Sequence, residues 1–204
     1  MITFEPNMKY INYDFEKLFA TKGYAWFKTG DYNLNIIGIR SNQNNKITNM
    51  FDDTLIVDYR ANGLHKRASY NITTEPGIYY SKNLLNKNGV SILVPGQYRG
   101  CWALGLHQGK YKALCQSKPV KVYRDNNKND VFDLSPESIH QGIFGINIHR
   151  ANPNKKSTEV GKYSAGCQVF ADPVQYNSFI RLCEMQRKLY GNSFTYTLIN
   201  EEDL

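Results

Sequence analysis

The stretch IFGINIHRANPNKKSTEVGKYSAGCQ, residues 143–168, carries the most informative pattern of the chain. Its apolar, β-branched start, residues 143–149, predicts a short buried strand that ends at His149. The polar residues 150–162 predict a surface loop. The stretch then reaches Ser-Ala-Gly-Cys, which places Cys167 on a glycine-containing turn. We expect this strand, loop and turn to bring His149 close to Cys167.

The patterns on both sides of this stretch predict a mainly β fold with flanking helices. Apolar and β-branched runs indicate strands at residues 34–40, 53–59, 68–72, 101–107, 110–115, 120–124 and 194–199, with hairpin turns at Asn62-Gly63 and Gln108-Gly109. Helical spacing indicates helices at residues 13–22 and 173–190. Because neither a repeat nor a linker interrupts the chain, we expect one domain, residues 1–204, with residues 1–30 as an N-terminal helical extension.

The composition is that of a folded, basic protein. The 204 residues are 41% hydrophobic, which is enough for a core, and the formal net charge is +7. Such a charge suits nucleic acid, an anionic membrane surface or an anionic polymer such as cell wall, but it also suits a basic surface without a specific partner. Nucleic acid ranks last, because the basic residues are scattered and no recognition motif is present. We expect no nucleic-acid partner.

Targeting signals are not apparent in the sequence. The N-terminal residues lack the basic and apolar regions of a signal peptide, and no apolar run approaches the roughly 20 residues of a membrane helix. We therefore expect synthesis in a cytoplasm without membrane insertion. A protein of this kind that acts outside the cell would be released by lysis or carried in a virion.

The four cysteines are expected to differ in role. They form no CxxC pair, so a disulfide framework is not expected. Cys183 lies on the apolar face of a predicted helix, and Cys101 and Cys115 lie in strand-like segments, so all three should be packed. Cys167 alone follows small polar residues on a turn. The commoner role of a single cysteine is packing, but this setting favours a nucleophile.

Thiol chemistry would explain the combination of His149 and Cys167. A thiol with a pKa of about 8.5 is only a few per cent thiolate at neutral pH, and a neighbouring imidazole can accept its proton. His149 is the best base candidate, since a buried strand would hold it rigidly. The small Gly166 lets an acyl group approach, and N–H groups at 166–167 can face an oxyanion. The sequence thus predicts a cysteine-nucleophile enzyme.

Residues 144–170 resemble the catalytic motif of the L,D-transpeptidase (YkuD-type) family. That motif is a histidine, a gap of mid-teens length and then Ser/Thr-x-Gly-Cys, matched here by His149 and by residues 164–167. More loosely, the chain is similar to phage-encoded or Bacteroidetes-associated members. The resemblance implies a β-sandwich catalytic domain that acts on peptidoglycan stem peptides without a cofactor or metal. A thioester acyl-enzyme would form on the cysteine and be resolved by an amine or by water.

The resemblance also implies a role for each motif residue. Cys167 would be the nucleophile and His149 the base, with the backbone carbonyl of Arg150 orienting the imidazole. Ser164 would brace the turn, and Gly166, with Cys167, would supply N–H groups to the oxyanion.

Two positions depart from the family pattern. The family commonly has histidine before the Gly-Cys pair, where this chain has Ala165, and Arg or Asn two residues after the cysteine, where it has Val169. The nucleophile and base are unaffected. The departures leave open how a substrate carboxylate is held, and whether the acyl group passes to an amine or to water.

Two other function classes remain. The altered positions 165 and 169 are compatible with a catalytically inactive cell-wall-binding or structural protein of the same fold. A metal-dependent hydrolase is the third hypothesis, with candidate ligands Cys101, His107, Cys115, His140 and His149, although no HExxH or paired CxxC motif is present. The sequence does not indicate an oligomeric state.

Overall fold

A computed structural model describes residues 8–41 and 44–204. This part of the chain is mainly β, as the sequence predicts, and it contains three α-helices, one more than the two predicted. The helices are α1 (Phe15–Lys22), α2 (Ile78–Lys82) and α3 (Pro173–Tyr190). The strands are β1 (Asn35–Arg40), β2 (Asp53–Ala61), β3 (Leu64–Thr73), β4 (Val90–Leu93), β5 (Gly96–His107), β6 (Tyr111–Gln116), β7 (Val120–Asp125), β8 (Ile139–Gly142), β9 (Ile148–Arg150), β10 (Gln168–Phe170) and β11 (Phe194–Asn200). Short 3-10 helices occupy Pro136–Ser138 and Glu201–Asp203.

Eight of the strands close into a barrel. Their order is β1-β11-β5-β6-β9-β10-β3-β2, and β2 pairs back onto β1. The β1–β11 and β9–β10 pairs are parallel, and the remaining neighbours are antiparallel. The other three strands form a separate antiparallel sheet in the order β4-β7-β8. The short β9 and β10 therefore meet inside the barrel wall, flanked by β6 and β3.

Two apolar clusters pack on opposite faces of the barrel wall. The larger contains Trp102 and Phe170 together with Phe179 of α3, whose ring centroid lies 5.0 Å from that of Phe170. The smaller contains Phe15 and Phe19 of α1. Side chains of β1 point alternately to the two faces and so contribute to both clusters. Ile36 belongs to the larger cluster, and Ile37 and Ile39 belong to the smaller one. The helical part of the predicted N-terminal extension thus packs on the barrel, and residues 1–7 lie outside the described residues.

The local signals for helices and hairpins are confirmed. The Asp14 side chain caps α1, and the helix ends at Gly23, which has a left-handed φ of 68°. The Asp172 side chain likewise accepts a hydrogen bond from a backbone N–H of α3. The turn Asn62-Gly63 joins β2 to β3 with positive φ at both residues, and Gln108-Gly109 joins β5 to β6 in the same way.

The predicted strand at residues 143–149 is wrong over most of its length. Only Ile148–Arg150 forms a strand, residues 143–147 are irregular, and Ile143 is 63% exposed. A side chain replaces the expected strand partner here. The Gln116 Oε1 atom accepts hydrogen bonds from the N–H groups of Phe144 and Ile146, both at 3.0 Å. Gly145, between them, has a φ of 73°, which no strand residue adopts.

The other cysteines are packed, as predicted. Cys183 and Cys101 are buried, Cys115 is half-buried, and all four cysteines are free thiols. Within residues 8–41 and 44–204, no helix has the length and apolar character that would be needed to cross a membrane.

Candidate active site

The turn that carries Cys167 is closed by a buried serine. The Ser164 hydroxyl donates to the Cys167 carbonyl over 2.9 Å and accepts from the Gly166 N–H over 3.1 Å. The Ser164 carbonyl in turn accepts a hydrogen bond from the Gly77 N–H, which attaches the turn to the residue before α2. Ser164 therefore holds the turn from both ends.

The expectation that the Gly166 N–H faces an oxyanion is wrong, because that N–H is already bonded to Ser164. Gly166 is required for a different reason. Its φ is 132°, which L side chains rarely adopt, and a Cβ atom built on it would lie 2.0 Å from the Ser91 carbonyl oxygen. Glycine thus lets the turn press directly on β4.

The Cys167 thiol lies against the irregular segment before β9. Its Sγ donates to the Gly145 carbonyl over 3.3 Å and accepts from the Asn147 N–H over 3.4 Å. No hydrogen bond joins it to His149. Burial raises the pKa of Cys167 to about 11, against the opposing effect of the Asn147 hydrogen bond. The thiol is therefore protonated at neutral pH.

His149 lies on β9, the parallel neighbour of the strand that follows Cys167. Its register partner is Val169, so Cys167 lies diagonally across the two strands from it. The His149 Nδ1 atom is 2.9 Å from the carbonyl oxygen of Arg150. A carbonyl only accepts, so Nδ1 carries the proton and Nε2 keeps a free lone pair. That is the tautomer that a general base for the thiol requires.

Tyr111 strengthens this arrangement. Its hydroxyl donates to the same Arg150 carbonyl over 3.2 Å and is also 3.2 Å from His149 Nδ1. The guanidinium of Arg150 lies 4.1 Å above the Tyr111 ring centroid. The backbone and side chain of Arg150 thus fix both partners.

A second imidazole, His107 at the end of β5, stacks on His149. The ring centroids are 4.0 Å apart and the planes differ by 19°. The Asn147 Oδ1 atom accepts from the Gln116 N–H, so its Nδ2 group donates to His107 Nδ1 over 3.1 Å. His107 therefore accepts at Nδ1 and carries its proton on Nε2.

The imidazole pair, with His149 buried and His107 half-buried, is held neutral. Burial, followed by repulsion from a charged His107, lowers the pKa of His149 to about 3. Burial and Lys110 also lower the pKa of His107. The site therefore contains a neutral thiol and a neutral base at rest, rather than a thiolate–imidazolium pair.

Sequence reasoning missed three of these residues in this role: His107, Tyr111 and Asn147. His107 and Tyr111 are register partners that flank the Gln108-Gly109 turn, so a histidine and a tyrosine at the two ends of a recognised hairpin were an available signal. Asn147 had no such signal. In the described residues, no group of three or more His, Cys, Asp or Glu side chains is placed to hold a metal ion.

No family model, curated protein or solved structure matches this chain. The functional interpretation therefore depends on the residues of the site and on the sequence motif.

Proposed function

We propose that the protein is an L,D-transpeptidase-like cysteine enzyme that acts on L,D-peptide bonds of peptidoglycan stem peptides. The observation that carries the proposal is His149, with its Nδ1 proton directed to the Arg150 carbonyl and its strand paired with the strand that follows Cys167. The proposal includes the finer fold assignment, an L,D-transpeptidase-like β-sandwich, although eight of the strands close into a barrel in this protein. Its support is the mainly β architecture, in which β10 leads from the cysteine into α3.

The chemistry follows from the protonation states of the two groups. Because the resting thiol has a high pKa and the imidazole a low one, the proton leaves Sγ for His149 Nε2 only as the S–C bond to the substrate carbonyl forms. The Cys167 N–H is the proposed donor to the resulting oxyanion. The positive charge on the imidazole is stabilised through Nδ1–H and the Arg150 carbonyl.

The second half of the reaction returns the proton. The C–N bond breaks as His149 protonates the leaving amine, which gives a thioester on Cys167 and a neutral imidazole. An incoming amine or water then attacks the thioester and loses its proton to His149, which returns that proton to the Cys167 sulfur as the S–C bond breaks. Transfer and hydrolysis thus differ only in the acceptor.

The net charge of +7 supports attraction to anionic wall polymers. We place the protein in a phage lytic or virion role, synthesised in a cytoplasm and released by lysis or carried in a particle. Peptidoglycan stem peptides are its proposed partners.

A second candidate function is a catalytically inactive cell-wall-binding or structural protein. The observation that favours it is the thiol itself, which is protonated and hydrogen-bonded to Gly145 and Asn147 rather than to His149. Catalysis requires the Cys167 side chain to turn from these partners toward the imidazole.

Muropeptide digestion separates the two functions. We expect the wild-type protein to convert purified muropeptides to products that mass spectrometry assigns to cleavage or exchange at an L,D bond. Cys167→Ala and His149→Gln should abolish conversion while the circular dichroism spectrum is retained, and Cys101→Ala, a buried thiol away from the turn, should stay active. Full activity of Cys167→Ala would refute the proposal, and a folded but inactive wild type would favour the binding protein.

A further inference from the structure

A cleft opens beside the thiol turn, between that turn and the three-stranded sheet. Its volume is about 350 Å³. Ala165, the residue two before the nucleophile, and Arg124 of β7 both line it. The apolar walls include Phe144 and the exposed side chains of Leu85 and Ile143.

The backbone fixes Arg124 at a short distance from the turn. Gly166 presses on the Ser91 carbonyl of β4, and the Ser91 N–H is 3.5 Å from the Ala165 carbonyl oxygen. Ser91 is the register partner of Arg124. Arg124 is therefore one strand away from the contact that positions the turn, and a ligand in the cleft reaches both.

The Arg124 guanidinium has unused hydrogen-bonding capacity. Its Nη1 group donates to the Gly89 carbonyl over 3.0 Å, and its Cζ atom lies 4.7 Å from the centroid of the Phe144 ring. The Nε atom is buried without a hydrogen-bond partner. Within the described residues Arg124 forms no salt bridge. The adjacent Asp125 carboxylate accepts hydrogen bonds from backbone N–H groups of the loop instead.

An unpaired, partly buried guanidinium is suited to an anion. Leaving a buried donor without a partner is unfavourable, and a carboxylate accepts charge-assisted hydrogen bonds from a guanidinium. Burial also lowers the pKa of Arg124, so an anion would offset an unfavourable environment.

The position where a carboxylate contact was expected is closed. Val169 is fully buried on β10 and cannot reach a substrate. On the basis of the proposed function, we propose that Arg124 makes the carboxylate contact instead. It binds a free carboxylate of the acyl-donor peptide in the cleft, so that the scissile carbonyl lies at Cys167. Arg124 is then a specificity-determining residue supplied by the small sheet.

Matched donors test this inference. The probes are the tetrapeptide L-Ala-γ-D-Glu-meso-diaminopimelate-D-Ala and its two monoamides, one at the D-Glu α-carboxylate and one at the side-chain carboxylate of the diaminopimelate. We expect one monoamide to be a poorer substrate than the free acid, with kcat/KM lower by roughly tenfold to a hundredfold for a lost charge-assisted bond.

Arg124→Gln should abolish this discrimination by slowing the free acid and the monoamide that keeps the recognised carboxylate, without slowing the other monoamide. Arg124→Lys should restore part of it. Lys121→Gln, an exposed change of the same charge on the same strand, should retain it. Melting temperatures would show whether loss of the hydrogen bond to Gly89 unfolds Arg124→Gln. If it does, the wild type is compared with Arg124→Lys instead.

The outcomes distinguish this inference from the proposed function. An active wild type that does not discriminate between the donors, or an Arg124→Gln variant that still does, would overturn the role of Arg124 and leave the reaction intact. If no donor is converted, the proposed function fails, and calorimetric binding of the same three peptides decides the role of Arg124. Weaker binding to Arg124→Gln of the free acid and of the monoamide that keeps the recognised carboxylate, with unchanged binding of the other monoamide, supports the role, and equal binding of all three to both proteins overturns it.

Discussion

At His149, two donors converge on one acceptor. The Nδ1–H group and the Tyr111 hydroxyl both donate to the Arg150 carbonyl, which leaves Nε2 as the only basic atom of the ring. His107 stacks on the same ring and disfavours a second charge nearby. His149 is therefore a neutral imidazole held in one tautomer, and the nearby Cys167 thiol is protonated.

Tyr111→Phe tests the shared carbonyl. The change removes one hydroxyl but keeps the ring that stacks against Arg150. We expect kcat on stem peptides to fall about fivefold, the equivalent of about 1 kcal/mol for one hydrogen bond, with KM unchanged. Tyr190→Phe, which also loses a bond from a hydroxyl to a backbone carbonyl, should leave kcat unchanged. An unaltered kcat in Tyr111→Phe would show that the hydroxyl has no part in the reaction.

The pH dependence of alkylation tests the protonation state of Cys167. With its pKa raised to about 11, the thiolate fraction grows about tenfold per pH unit throughout the range below that value. Peptide-resolved mass spectrometry should therefore show the iodoacetamide rate at Cys167 rising steadily from pH 7 to pH 10. A rate that levels off near neutral pH would reveal a preformed thiolate and contradict the neutral resting state.

At the scale of elements, the thiol turn depends on β4 as much as on the barrel. The Gly166 backbone packs on Ser91, and the Ala165 carbonyl lies near the same strand. The barrel supplies His149 and the residues that orient it, whereas the small sheet supports the other side of the turn. The thiol turn is thus supported by both sheets.

Gly166→Ala should damage this contact. A methyl group at φ 132° would meet the Ser91 carbonyl at 2.0 Å, so the turn must shift. We expect loss of about 1–3 kcal/mol in the free energy of unfolding and loss of activity. Gly161→Ala is the matched control, because Gly161 also has a positive φ but has open space around it. Its activity should be retained. Equal effects of the two changes, measured by denaturant unfolding and turnover, would refute a role for the β4 contact.

Features that depend on residues close in sequence could be predicted, whereas features that depend on residues far apart in sequence could not. The ends of α1 and α3 and the Asn62-Gly63 hairpin depend on neighbours in sequence, so they could be predicted. The site could be predicted only for the residues of one motif, His149, Arg150, Ser164 and Cys167. His107 contacts His149 only because the strands that carry them belong to the same barrel. At residues 143–147, the Gln116 side chain accepts the backbone hydrogen bonds that a neighbouring strand would otherwise accept. Contacts of this kind join residues far apart in the chain, so they produce no periodic pattern in the sequence.

At the scale of the whole molecule, a buried polar network joins the barrel to the small sheet. Arg40 at the end of β1 donates to the Leu93 carbonyl of β4 over 3.0 Å and lies 3.3 Å from the Glu75 carboxylate. The Asp53 carboxylate of β2 accepts from the Thr74 N–H over 2.6 Å. Burial raises the pKa of Glu75 to about 8, and it also raises the pKa of Asp53.

This network predicts that stability falls with rising pH. Glu75 is protonated in the folded state below about pH 8 but ionises near 4.5 when unfolded, so the folded state holds more protons in that window. Between pH 6.5 and 8, above the range where His149 titrates, the free energy of unfolding should decrease by up to about 1.4 kcal/mol per pH unit. Urea titrations of Glu75→Gln should show a flatter profile, and the exposed Glu159→Gln should not. A wild-type profile that rises would contradict the assignment.

The most direct test of the account is trapping of the acyl-enzyme. The protein would be mixed with L-Ala-γ-D-Glu-meso-diaminopimelate-D-Ala and quenched in acid within seconds. Intact-protein mass spectrometry would then detect any adduct, and peptide mapping would locate it. We expect an adduct equal to the acyl tripeptide, the tetrapeptide without its terminal D-Ala, on Cys167 alone. The adduct should be released by hydroxylamine, absent from Cys167→Ala and strongly reduced in His149→Gln. Conversion of the peptide without any adduct, or an adduct on another residue, would contradict the assignment of Cys167 as the nucleophile.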